Sequence, residues 1–128
     1  MIVDASALVA IVFREPGFEA IVGKLERSSS TGVGTPTIVE TGIVLTARLK
    51  QDARAIVAGL VHEFGMVEVP FGEAHAREAM RAYLRFGRGR HVANLNHGDC
   101  LTYAVASLAR EPLLFTGTDF SATDLQAA

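Results

Sequence analysis

Four acidic residues stand where carboxylates can do chemistry: Asp4, Glu40, Asp99 and Asp119. Asp4 directly follows the apolar start MIV, where a charge without a partner is costly to keep. Two carboxylates that meet at about 4 Å cost roughly 4 kcal/mol at an effective dielectric near 20. A divalent cation removes that repulsion, and Mg²⁺ prefers hard oxygen ligands. The acidic residues therefore suggest a metal-dependent site for phosphodiester hydrolysis.

Each of these residues also has an ordinary structural explanation. Asp4 can cap a helix, and the spacing from Thr37 to Glu40 matches a capping box. Asp99 is expected in the first turn of a helix, where the helix dipole favours a negative charge, and Asp119 stands in a turn-like segment. A catalytic role is favoured over helix capping only because all four carboxylates are expected at one place.

The elements that must position the carboxylates alternate between short apolar strands and helices. This pattern predicts a parallel sheet covered by helices on both faces. Ligand sites in such sheets lie beyond the carboxyl ends of the strands, which places all four acidic residues at one edge. The strands are expected at 1–3, 31–34, 66–69 and 112–115, and the helices at 5–13, 18–27, 35–50, 52–64, 72–86 and 98–109.

Composition predicts one globular domain, residues 1–128, because 49% of the chain is hydrophobic and the length suits a single core. The net charge of −2 gives no general attraction to nucleic acid. Cys100 is the only cysteine, which favours a reducing cytoplasm. The apolar start is too short to span a membrane and has no basic residues before it, so neither a membrane helix nor a signal peptide is expected.

Four motifs, in series, carry a family resemblance. MIVDASALVAIV, TPTIVETGIVL, LNHGDCLTYAVA and PLLFTGTDFSATDL resemble the motifs of PIN domains, most closely those of VapC-type toxins of bacterial toxin–antitoxin pairs. The resemblance covers the whole chain. It implies a three-layer α/β/α sandwich with a short parallel sheet. It also implies an endoribonuclease that depends on Mg²⁺, for which Mn²⁺ can substitute.

The resemblance assigns roles to individual residues. Asp4 and Asp99 match the main metal ligands, and Glu40 matches a residue that orients water or binds a second ion. Asp119 matches the fourth acidic position, with Asp124 as a rival for it. Two polar residues are expected to support the carboxylates, namely Ser6 and Thr116.

A basic stretch offers a surface for RNA. Arginines recur every four residues along one predicted helix and continue into the following loop, and the alternative interpretation is a solvated helix face. The candidate RNA contacts are Arg81, Arg85, Arg88 and Arg90, and Arg77 begins the same stripe. The family resemblance adds two protein partners, a cognate VapB-type antitoxin that blocks the acidic site and a second copy in a homodimer.

Two other functions are compatible with an aspartate after a strand. A Mg²⁺-dependent phosphatase or phospho-acceptor domain is disfavoured, because the dehalogenase pattern needs a second aspartate where Ser6 stands. A catalytically inactive PIN-like module that binds RNA or protein is disfavoured because all the acidic positions are filled.

Overall fold

The computed structural model describes residues 1–128, with a sheet of four short strands at its centre. All neighbouring strands pair in parallel, and their order across the sheet is third, second, first and fourth. This order puts the first strand between the second and the fourth, so the residues that follow these three strands share one edge. The strands are β1 (Ile2–Val3), β2 (Gly32–Gly34), β3 (Val67–Val69) and β4 (Leu113–Leu114).

Six helices surround the sheet and confirm the predicted α/β sandwich. None of them is long and apolar enough to cross a membrane. They are α1 (Ala5–Phe13), α2 (Phe18–Arg27), α3 (Thr35–Leu49), α4 (Arg54–Glu63), α5 (Glu73–Phe86) and α6 (His97–Ala109). A short 3₁₀ helix, η1 (Asp119–Ala122), follows β4.

The two faces of the sheet belong to different cores, because successive strand residues point in opposite directions. Ile2 and Leu113 pack with residues of α5 and α6. Val3 and Leu114 pack on the other face with residues of α1, α2 and α4. This alternation accounts for the three layers, helices, sheet and helices.

The structure corrects one predicted helix start and one predicted helix cap. The helix predicted from residue 52 begins at Arg54, because the Asp52 carboxylate accepts the backbone N–H of Arg54 at 3.0 Å in a turn before it. The predicted capping box of Thr37 and Glu40 is wrong, because α3 already begins at Thr35 after Gly34. Thr37 therefore lies inside the helix, where its side chain is buried.

Candidate active site

Asp4 lies where β1 ends and α1 begins, and it caps that helix as predicted. Only 5% of the residue is exposed. Its Oδ2 accepts hydrogen bonds from the backbone N–H of Ser6 at 3.0 Å and from the Ser6 hydroxyl at 2.6 Å. The Ser6 Oγ in turn accepts the backbone N–H of Thr116 at 3.0 Å. Ser6 thus ties the first carboxylate to the loop that follows β4, and Thr116 contributes its backbone to that contact.

Asp99 stands in the first turn of α6 and takes part in a capping box with Asn96. The Asp99 carboxylate accepts the Asn96 N–H at 2.8 Å, and the Asn96 side chain accepts the Asp99 N–H at 2.9 Å. Burial raises the pKa of Asp99 to about 6, with the charges of Asp4 and Asp119 adding to the rise, while the Asn96 N–H and Arg88 oppose it. The Asp99 carboxylate therefore lies within electrostatic reach of two other carboxylates.

Glu40 projects from the second turn of α3 toward the same place. Burial raises its pKa, and the nearby charges of Asp4 and Asp99 raise it further. Its carboxylate lies directly over Gly98 of α6. A Cβ at Gly98 would come within 2.7 Å of Oε2 and 2.8 Å of Oε1, closer than real Cβ contacts. The space that Gly98 leaves open is therefore filled by the Glu40 carboxylate.

The last acidic position has two rivals in sequence, and the structure places them apart. Asp119 is exposed at the start of η1, and its charge contributes to the raised pKa of Asp99. Asp124 instead accepts a hydrogen bond from the Tyr103 hydroxyl at 2.6 Å and from Arg85 at 2.9 Å. Asp119 therefore lies within electrostatic reach of Asp99, whereas Asp124 fastens the C-terminal segment to α5 and α6.

The donor set has the chemistry of a site for a hard divalent cation. Its donors are carboxylate oxygens, the charge of Asp4 raises the pKa values of Glu40 and Asp99, and the space over Gly98 holds the Glu40 carboxylate. No three acidic, histidine or cysteine side chains are drawn together closely enough to enclose an ion by themselves. The carboxylates thus fit Mg²⁺ in the manner usual for that ion, which keeps several waters and shares its ligands with substrate phosphate.

The arginines near the site fall into two groups. Three on α5 are engaged within the chain: Arg77 pairs with Glu73, Arg81 with Glu78 and Arg85 with Asp124. Arg90 donates to the backbone carbonyl of Leu84 at 3.2 Å. Arg88 forms no ion pair, is exposed, and its charge reaches Asp99. Arg88 is therefore the basic group best placed to meet an anion at the acidic edge.

Sequence reasoning missed two residues of the site. Asn96 stands three positions before Asp99, and that spacing could have identified it as the helix cap. Gly98 gave no signal of its own, because its part depends on the approach of Glu40 from a distant helix.

Comparison with known proteins identifies the family. The PIN domain family matches residues 1–125. The chain belongs to the PIN-domain family. Ribonuclease VapC36 of Mycobacterium tuberculosis is 46% identical over 127 residues, which cover 98% of this chain and 91% of that protein. At this level of identity and coverage, the chain is a PIN-domain protein of the VapC ribonuclease group.

Solved structures share the fold of this PIN domain. VapC20 of Mycobacterium tuberculosis, described as a toxin that cleaves the sarcin-ricin loop, superposes with a TM-score of 0.80 at 15% identity. The match covers 99% of this chain and 97% of VapC20. A toxin–antitoxin complex from Klebsiella pneumoniae gives a TM-score of 0.69 at 17% identity, covering 96% and 92% of the two chains. These likenesses confirm the PIN fold.

Proposed function

We propose that this chain is an endoribonuclease toxin that hydrolyses RNA phosphodiester bonds with Mg²⁺, for which Mn²⁺ can substitute. One observation carries the proposal: Asp4, Glu40 and Asp99 come from three separate elements, and the charge of Asp4 raises the pKa values of both Glu40 and Asp99. Such mutual repulsion suits a site that holds a cation. The relationship to VapC36 supports the choice of RNA as substrate.

Each carboxylate has a role that follows from its surroundings. Asp4 and Asp99 hold the cation, while Ser6 fixes the orientation of the Asp4 carboxylate through two hydrogen bonds. When bound, the cation supplies Lewis-acid polarisation of a phosphoryl oxygen. Glu40, with a raised pKa and no hydrogen-bond donor on its carboxylate, accepts a proton from the attacking water. Asp119 completes the acidic edge from the β4 side.

Arg88 gives the site a basic group for the substrate. It is exposed and unpaired, and its charge is felt by Asp99. Arginine binds phosphate through a planar fork of N–H donors. We assign Arg88 to a phosphate next to the scissile bond and Arg90 to the flanking strand, whereas Arg81 and Arg85 must first leave Glu78 and Asp124.

The decisive experiment is cleavage of total bacterial RNA by the purified protein with Mg²⁺ or Mn²⁺. Asp99→Asn removes one charge with little change of shape, and Asp124→Asn makes the same change away from the acidic edge. We expect discrete fragments from the wild type and D124N, none from D99N, and none from any protein in EDTA. Equal cleavage by the wild type and D99N would overturn the site. Metal-dependent RNA binding without cleavage would instead indicate an inactive binding module.

Two protein partners follow from the proposed toxin function in the cytoplasm. The Klebsiella pneumoniae neighbour is a toxin–antitoxin complex, which supports a cognate VapB-type antitoxin for this chain. Exposed apolar side chains support protein interfaces. They include Val39 and Ile43 on α3, beside a groove of about 760 Å³, and Met80 and Leu84 on α5.

We assign the α3 groove to the antitoxin and the α5 face to a homodimer. Light scattering of the purified chain tests the second assignment. We expect the wild type to be a dimer and Leu84→Glu, a substitution on the exposed face of α5, to be a monomer. A wild-type monomer at micromolar concentration would contradict the assignment.

A further inference from the structure

The helices that carry Glu40 and Asp99 touch along a narrow seam. At one end, Gly98 of α6 lies under the Glu40 carboxylate. At the other end, a Cβ at Gly34 would lie 2.9 Å from Cγ2 of Val105, so α6 also approaches the residue that precedes α3. Small residues at both ends allow the two helices to come close. The separation of the two acidic side chains therefore depends on what lies between these ends.

A pair of buried threonines lies between them. The hydroxyls of Thr37 on α3 and Thr102 on α6 are 3.1 Å apart and share a hydrogen bond. Thr37 is 2% exposed and Thr102 is 1% exposed. Thr37 precedes Glu40 by three residues and Thr102 follows Asp99 by three, so each threonine lies about one helical turn from its acidic residue. At the two ends of the seam the contacts are made by Gly98 with the Glu40 carboxylate and by Gly34 with Val105.

We propose that Thr37 and Thr102 are positioning residues whose hydrogen bond sets the separation of Glu40 and Asp99, and hence the affinity of the acidic edge for a divalent cation. The inference rests on the proposed metal-dependent function. Because both hydroxyls are cut off from water, each depends on the other for a partner. Helix packing by itself tolerates small sliding movements, whereas a hydrogen bond fixes distance and register.

The chain provides a matched control for this pair. Thr41 is as deeply buried, with no exposure, and its hydroxyl donates to the backbone carbonyl of Thr37 at 2.7 Å within the same helix. Thr→Val at position 41 makes the same chemical change as at position 37 but removes a hydrogen bond within α3 and none between helices. Any effect of T37V beyond that of T41V therefore reports the contact with α6.

The test measures Mn²⁺ binding by titration calorimetry, together with thermal unfolding without metal. We expect T37V and T102V each to weaken Mn²⁺ binding about 10-fold, as supporting contacts to metal ligands typically do, and T41V to bind like the wild type. The double variant T37V/T102V should bind no more weakly than either single variant, since all three lack the same hydrogen bond. Thr→Ser at either position keeps the hydroxyl and should retain wild-type affinity.

Three results would overturn the proposal. Wild-type affinity in folded T37V and T102V would show that packing alone positions the carboxylates. A roughly 10-fold loss of Mn²⁺ affinity in folded T37S and T102S, which keep the hydroxyls, would show that packing at these positions controls the affinity and the hydrogen bond does not, and this result does not need a folded valine variant. A wild-type protein that binds no Mn²⁺ and cuts no RNA would overturn the proposed function as well, which separates the two failures.

Discussion

Asp99 shows how burial and charge act on one carboxyl group. Its pKa rises from the ordinary 3.8 to about 6. Between pH 3.8 and about pH 6, the Asp99 carboxyl therefore keeps its proton in the folded protein and loses it in the unfolded chain. Folding stability therefore falls as the pH rises from about 4 to 6, and the ionised group destabilises the metal-free protein at neutral pH. A bound cation would remove that destabilisation.

Asp99→Asn should stabilise the metal-free protein at pH 7.5 and leave its stability unchanged at pH 4. A shift of two pKa units corresponds to roughly 3 kcal/mol, which partial exposure to solvent reduces to about 1 to 2 kcal/mol. The asparagine carbonyl can still accept the Asn96 N–H, so the cap is kept. Thermal unfolding in EDTA at the two pH values measures the effect. If D99N is less stable than the wild type at pH 7.5, the ionised Asp99 carboxylate does not destabilise the metal-free protein.

Gly98→Ala should separate stability from activity. Alanine in a helix is more stable than glycine by about 0.5 to 1 kcal/mol, and the three atoms nearest to the new Cβ all belong to the flexible end of Glu40. The carboxylate must move, and we expect RNA cleavage to fall at least 10-fold while the melting temperature holds or rises.

Gly59 of α4 provides the control for that substitution, because a Cβ there meets nothing within 4 Å. Gly59→Ala should raise stability by a similar amount and leave cleavage unchanged. Normal cleavage by G98A would mean that the position of Glu40 over Gly98 is not needed for the reaction.

At the scale of elements, the sequence predicts the order of strands and helices because their patterns are local. Apolar runs such as MIV and PLLF, and the spacing of apolar residues along α5, need no partner to be recognised. From them follows the common edge for Asp4, Glu40 and Asp99. The seam of Thr37 and Thr102 lies beyond this reasoning, because a contact between residues 65 positions apart leaves no local pattern.

The C-terminal segment also contains contacts that no local sequence pattern predicts. The sequence matched Asp119 to the fourth acidic position but kept Asp124 as a rival, since both stand in the turn-rich stretch after β4. Packing separates them, because Tyr103 of α6 and Arg85 of α5 meet Asp124 only in the folded chain. Burial alone would raise the pKa of Asp124, but the hydrogen bonds from Tyr103 and Arg85 outweigh it and lower the pKa below 3.8.

Asp124→Ala should therefore lower the stability of the fold without affecting RNA cleavage. Asp119→Ala should lower RNA cleavage without affecting stability. Loss of Asp124 leaves the buried Tyr103 hydroxyl without its partner, which costs about 1 to 3 kcal/mol. The lowered pKa means that the ionic share of this stability is present at neutral pH and lost as the pH falls below about 4. Urea unfolding and RNA cleavage of both variants check the prediction. A cleavage defect in stable D124A would reverse the two roles.

At the scale of the whole molecule, charge limits how this protein can hold RNA. The net charge is −2, and the arginine stripe of α5 is neutralised by Glu73, Glu78 and Asp124. General electrostatic attraction cannot supply the affinity. Binding must depend on the acidic edge with its cation and on the few arginines that have no acidic partner.

The salt dependence of RNA binding should therefore be shallow and should depend on Arg88. Each phosphate contact to single-stranded RNA contributes about −0.7 to the slope of log K against log salt, so contacts by Arg88 and Arg90 predict a slope near −1.4. Arg88→Ala should reduce that slope by about 0.7, whereas Arg77→Ala, which removes an arginine already paired with Glu73, should leave it unchanged. Fluorescence anisotropy with a short labelled RNA in EDTA, which removes the cation and prevents cleavage, measures the share of binding that the arginines supply. Equal losses of slope in R77A and R88A would show that RNA displaces the ion pairs of α5, and the whole stripe would then belong to the binding surface.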